Sequence, residues 1–153
     1  MPRTIISDTS CFIVLTKIGA LELLHQVYGQ VVTTPDIAVE YGETLPEWVA
    51  VVAVKDQTRQ LLLEMQIDKG ESSAIALALE TPDCILILDD YKARKIAERL
   101  GLNLTGTIGV IIKAKLRGVI TSVKPLLDKI KQTNFRLSPE LESLALKAAD
   151  ELD

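Results

Sequence analysis

Cys84-Ile85-Leu86-Ile87-Leu88 is an uninterrupted apolar run that ends in two carboxylates, Asp89-Asp90, and no other segment constrains the fold as strongly. Alternation would mark a strand with one wet face. A short continuous run marks a strand covered on both faces, as in the parallel sheets of α/β proteins. Open α/β sheets keep their sites beyond the carboxyl ends of such strands, so Asp89 is expected at the mouth of one. Thr4-Ile5-Ile6-Ser7 reads as a first strand, with Asp8-Thr9-Ser10 as cap chemistry for a helix carrying Phe12, Ile13, Leu15 and Ile18 and stopping at Gly19. Gln30 to Thr33, Val49 to Val54 (expected at an edge) and Asn103 to Thr105 read as further strands.

Helices are expected between and after these runs. They cover Leu21 to Tyr28, Pro35 to near Gly42 with Thr34 as cap, and Gln57 to Ile67. Others begin at Glu71 after a break at Lys69-Gly70, at Tyr91 (to Leu100) and at Thr107 (to Leu116), with two more over Pro125 to Ile130 and Pro139 to Leu152. Strands alternating with helices predict a three-layer α/β/α sandwich around a central, mainly parallel sheet.

A length of 153 residues suits one domain, 1–153, and a domain of that size buries roughly 68–70% of its unfolded surface. The chain is 48% hydrophobic but only 4% aromatic, so its core is aliphatic. No apolar run approaches ~18 residues and no leader pattern precedes the first strand, so a cytoplasmic protein with no membrane span is expected. Cys11 and Cys84 form no C-x-x-C pair and read as two buried thiols. His25, the only histidine, lies in the helical-looking Ala20 to His25 and reads as a surface or half-buried residue, which argues against a histidine-based triad. A net charge of −4 argues against gripping nucleic acid by long-range attraction; a polyanion would need local basic patches or metal ions.

The acids Asp8, Glu40, Glu71, Asp89 and Asp90 stand near expected strand ends and helix starts. Asp89 could serve as the magnesium-holding acid of a nucleotide-binding strand. However, Gly101 to Thr107, which has P-loop glycine spacing, puts Thr107 where the phosphate-binding lysine belongs and follows the acidic strand. A haloacid-dehalogenase phosphatase needs aspartate where Ser10 stands, and no G-x-G-x-x-G occurs. Singly, Asp8 and Asp90 read as helix caps, each contributing about 0.5–2 kcal/mol, and Glu71 as a partner for a helix dipole, contributing roughly 0.3–1 kcal/mol. Glu40, near a helix end, is placed against the dipole. If the acids converge they repel, and a hard divalent cation such as Mg²⁺ or Mn²⁺ relieves the repulsion.

Together these words resemble the PIN-domain family, the fold of metal-dependent ribonucleases that includes toxins of the VapC type. They are Ile6-Ser7-Asp8-Thr9-Ser10; Thr34-Pro35 with Glu40 five residues beyond the proline; Gly70-Glu71 before Ala74-Ile75-Ala76; and Leu88-Asp89-Asp90 before Ala93-Arg94. Thr105 to Val110 and Ala114 to Gly118 resemble an uncharacterised prokaryotic branch of that family. The resemblance implies a PIN-like fold and an endoribonuclease, toxin of a toxin–antitoxin pair, using one or two Mg²⁺ or Mn²⁺ ions. It implies an acidic quartet of Asp8, Glu40, Glu71 and Asp89, with Asp89 preferred over Asp90 and Thr9 or Ser10 as accessory hydroxyls. The alternative is an inactive PIN-like module that binds RNA or protein. Lys92, Arg94, Lys95 and Arg99 are candidate contacts to the RNA backbone. A mean hydropathy of +0.24 points to apolar surface covered by a homodimer, a higher assembly or a small antitoxin, with the stripe Leu141, Leu144, Ala145, Ala148 and Leu152 as a candidate surface.

Overall fold

The apolar run of Cys84 to Leu88 and its counterpart at Thr4 to Ser7 become the two central strands of one sheet. A computed structural model describes residues 3–151. In chain order the elements are β1 (Thr4–Ser7), α1 (Thr9–Lys17), α2 (Glu22–Tyr28), β2 (Val31–Thr33), α3 (Pro35–Tyr41), β3 (Val49–Val51) and α4 (Gln57–Glu64). There follow α5 (Lys69–Leu79), β4 (Cys84–Ile87), α6 (Tyr91–Arg99), β5 (Asn103–Thr105), α7 (Thr107–Leu116), α8 (Lys124–Ile130) and α9 (Pro139–Ala148). The sheet has five strands in the order β3-β2-β1-β4-β5, and every pairing is parallel. The helices flank it, giving the PIN-like α/β/α sandwich expected from the sequence.

Strand order runs outward in one direction through β2 and β3 and in the other through β4 and β5. The reversal falls between β1 and β4, and a crevice opens at their carboxyl ends. Ser7 pairs with Ile87, so the residues that leave these strands emerge side by side. Beneath the crevice lies an aliphatic core in which Phe12, Leu15, Ile75, Leu86 and Ile111 are fully buried. Cys11 and Cys84 are buried free thiols. Among the described residues no single helix is long and apolar enough to cross a membrane.

Three expectations need correction. The chain does not break at Lys69-Gly70: α5 starts at Lys69, capped by Asp68, whose Oδ1 accepts from Glu71 N at 2.8 Å. Gly70 therefore lies inside a helix, where close approach by another side chain, described below, explains it. β3 ends at Val51 rather than Val54: Val49 to Val51 are in register with β2, and the last bond to that strand is Val52 N to Thr33 O at 2.8 Å. The last helix ends at Ala148 rather than running on to Leu152, which lies outside the described residues; Ala145 is its buried residue, and Leu144 is 63% exposed.

The end of the chain is tied down through Glu151. Its carboxylate accepts from Ser122 Oγ (2.6 Å), Val123 N (2.7 Å), Lys115 Nζ (3.1 Å) and, more weakly, Lys124 N (3.4 Å). Burial opposes its charge, but these donors prevail and hold its carboxyl down to about 2. We expect Glu151→Ala to cost roughly 1–3 kcal/mol, since Val123 N and Lys115 lose an ionised acceptor. Chemical denaturation of variant and parent checks this, and identical midpoints would show that Glu151 secures nothing. With its pKa lowered on folding, the contribution is present above the ordinary glutamate range and is lost as pH falls towards 2.

Candidate functional site

Asp8 follows β1 directly and is the N-cap of α1. Its Oδ1 accepts from Cys11 N at 2.9 Å and its Oδ2 from Asp89 N at 3.0 Å, so this carboxylate joins the two central strand ends. It is 3% exposed. Burial raises its pKa well above the ordinary aspartate value, with the Asp89 charge next and Glu71 adding, against the pull of its two backbone donors. The cap reading and the site reading both describe this residue, because each oxygen keeps a free lone pair.

Asp89 is held from the other side. Thr107 N donates to its Oδ1 at 2.8 Å and Thr107 Oγ1 to its Oδ2 at 2.6 Å. Gly106 makes this approach possible, since a Cβ there would stand 2.9 Å from Asp89 Oδ1. Asp90 caps α6, its Oδ2 accepting from Ala93 N at 2.9 Å. Glu40, on α3, accepts from Thr9 Oγ1. Its carboxylate also lies against Gly70, where a Cβ would sit 2.6 Å from Oε1. Glu71, in the first turn of α5, is half-buried and has its pKa pushed up to about 7 by burial, then by Asp68, Asp90 and Glu40.

Asp8, Thr9, Ser10, Glu40, Asp68 and Glu71 line a single cleft of ≈ 430 Å³. Asp89 does not line it but meets it through its N–H on Asp8. Among the described residues no three His, Cys, Asp or Glu side chains converge as a ligand set. Glu40 is held on Thr9 and Asp89 on Thr107. The set nonetheless suits a hard divalent cation. Every donor is oxygen, and none of Asp8, Glu40, Glu71 and Asp89 forms an ion pair with a lysine or arginine among the described residues. Lys17 lines the same cleft but is not ion-paired with any of them.

Arg94, a candidate contact to the RNA backbone, is engaged within the fold. Its Nη1 donates to Leu88 O (2.6 Å) and Thr105 O (3.1 Å), clamping the ends of β4 and β5. Lys92, Lys95 and Arg99 stand exposed on α6, with Lys95 Nζ 5.3 Å from the centre of the Tyr91 ring. The sequence reading missed Asp68, Thr107 and the cleft wall formed by Thr133, Asn134 and Phe135. Asp68 was legible as a capping residue three positions before Glu71. Thr107 and the wall carry no local signal, since both act across the fold.

The chain matches the DUF3368 family model, described as a PIN domain, over residues 4–151. No curated protein and no solved structure matches it. A family match over nearly all of the chain, together with a parallel sheet that carries acids at its central strand ends, leads to one conclusion: the chain belongs to the PIN-domain family.

Proposed function

We propose that this protein is a Mg²⁺- or Mn²⁺-dependent endoribonuclease. PIN domains are typically nucleases and generally use divalent metals. The observation that carries the reading here is the group of carboxylates gathered around the carboxyl ends of β1 and β4, none of them ion-paired with a lysine or arginine among the described residues. Asp8 and Asp89 would hold the metal, with Glu40 and Glu71 completing its shell, supporting a second ion or orienting water. Bound there, such an ion lowers the pKa of water, polarises a phosphoryl oxygen and neutralises charge on the leaving oxygen.

The chain's own contribution is preorganisation. Cys11 N and Asp89 N fix Asp8, Thr107 fixes Asp89, and Thr9 fixes Glu40. Glu71, in the first turn of α5 and lining the cleft, is placed to orient an attacking water. The toxin-like order of motifs supports a cytoplasmic toxin paired with a small antitoxin. Exposed Leu141 and Leu144 on α9 support a covered surface there, in a homodimer or against that antitoxin. The test is cleavage of RNA by purified protein with Mn²⁺ or Mg²⁺ and its loss in EDTA; metal-independent cleavage would count against it. A second reading, a PIN-like module that binds without cutting, draws on the engagement of both Asp89 oxygens by Thr107.

Gly70→Ala separates structure from function at this site. Gly70 is the second residue of α5, where alanine is also favoured over glycine, and the atom its methyl meets is the movable end of Glu40, so the folded state should be about as stable. The new methyl displaces the Glu40 carboxylate, and cleavage should drop by up to about 10²-fold, as misplacement by an ångström can cause. Thermal denaturation beside a cleavage assay checks both halves, and full activity would show that Glu40 need not stay where it is.

A further inference from the structure

The cleft that holds the carboxylates is acidic on one side only. Ile13, Val14 and Phe135 line the same space, and Phe135 comes from the loop after α8. That loop is built rather than loose: Thr133 N and Oγ1 both donate to Ile130 O (2.9 and 2.7 Å), and Phe135 N donates to Thr133 Oγ1 at 3.1 Å. Ile130 is fully buried, so the turn is anchored in the core and holds Phe135 half-buried at the cleft. A second hollow of ≈ 610 Å³ shares Lys17, Thr133 and Asn134 with the first and adds Lys129 and Gln132. No carboxylate lines it. Lys17 and Lys129 form no ion pair among the described residues, whereas Lys124 and Lys131, which flank Lys129 in α8 and just after it, are both paired with Asp128 and Glu142. None of Lys92, Lys95 and Arg99 lines either hollow.

A metal and a phosphate account for the acids but not for an aromatic ring and two aliphatic side chains beside them. An apolar, planar occupant does, and a nucleobase attached to that phosphate is one. A paired base in a duplex has both faces stacked, so the base that meets Phe135 must be unpaired. We infer that Phe135 is the stacking wall for an unpaired nucleobase next to the phosphate at the carboxylates. Lys17 and Lys129 carry the adjoining backbone through the second hollow. The strand thus leaves the site over the loop after α8 rather than along α6. This deepens the nuclease reading and rests on it.

The test uses fluorescence anisotropy of a labelled single-stranded RNA decamer and a twelve-base-pair RNA duplex, with Mn²⁺, in the full-length Asp8→Asn background to prevent cutting. Phe135→Ala should weaken decamer binding roughly 5- to 150-fold, the range for loss of one base–aromatic stack, and leave duplex binding unchanged. Phe135→Trp should restore decamer binding, which a merely structural role would not predict. Lys17→Ala with Lys129→Ala should reduce the slope of log affinity against log salt by about 1.4, about 0.7 per lost phosphate contact on a single strand. Undiminished decamer binding by Phe135→Ala, or a slope that responds only to Lys92→Ala with Lys95→Ala, overturns the inference. If either occurs while the wild-type protein still cuts RNA with Mn²⁺, the nuclease reading stands and the stacking wall falls. If the wild-type protein cuts nothing while the decamer still binds through Phe135, the stacking wall stands and the nuclease reading falls.

Discussion

Asp8→Asn should abolish metal-dependent RNA cleavage, lowering its rate by about 10²–10³-fold or more, the scale of removing one preorganised charge-stabilising group. No other residue is placed as Asp8 is. It sits at the reversal point of the strand order, it is almost wholly buried, and it bonds to both Cys11 N and Asp89 N. Asparagine keeps the shape but has one acceptor oxygen where aspartate has two, so one of the two N–H donors loses its partner. That loss costs about 1–3 kcal/mol, while relief of a buried charge acts in the opposite direction. Stability should therefore move little while the rate collapses. Circular dichroism and a gel cleavage assay on the same preparation distinguish catalytic loss from misfolding. Cleavage equal to wild type would show that the activity belongs to a contaminant.

The metal-free protein should be more stable near pH 5 than near pH 8, and Mn²⁺ should reverse that order. Burial and neighbouring acids raise the carboxyls of Asp8 and Glu71 in the folded state, the latter to about 7. Between the ordinary carboxylate range and about 7 the folded state binds more protons than the unfolded chain, so stability falls as pH rises through that window. Because Glu71 is only half-buried, solvent screening reduces its share to roughly 1–2 kcal/mol. On the proposed function, a divalent cation should bind the ionised site and not the unfolded chain. At a concentration 100 times its Kd it adds about 2.7 kcal/mol, or about 5–10 °C in Tm for a chain of this size. The effect should be large at pH 8 and should shrink at pH 5, where protons compete for the same oxygens. Thermal scans in EDTA and in Mn²⁺ at both values check it. A Tm in EDTA that rises steadily from pH 5 to 8 would contradict the clustering of these charges.

Much of this arrangement is written locally. Asp8, Thr34, Asp68, Asp90 and Ser138 each accept from a backbone N–H three residues on, the cap geometry that their residue types and positions imply. Unbroken apolar runs identify β1 and β4 as strands, and the acids that follow them identify the end of the sheet where a site lies. These features depend on residues within a few positions of one another, and a chain carries that information in its order.

Tertiary structure decided what depends on distant segments. The pairing of β1 with β4, 80 residues apart at Thr4 and Cys84, turns two separate acids into neighbours. Gly70 looked like a helix breaker and is instead the room in which Glu40 lies, because α3 packs on α5. Arg94 reads as a candidate contact to the RNA backbone, and its Nη1 meets two strand-end carbonyls, Leu88 O and Thr105 O. Phe135 reaches the acidic cleft only because the buried Ile130 anchors its loop there. The sequence by itself determined the strands, the caps and the inventory of acids. The packing of the sheet and its helices decided which of those acids share a cleft and what else faces them, since proximity across a fold is set by summed burial and not by any short word in the chain.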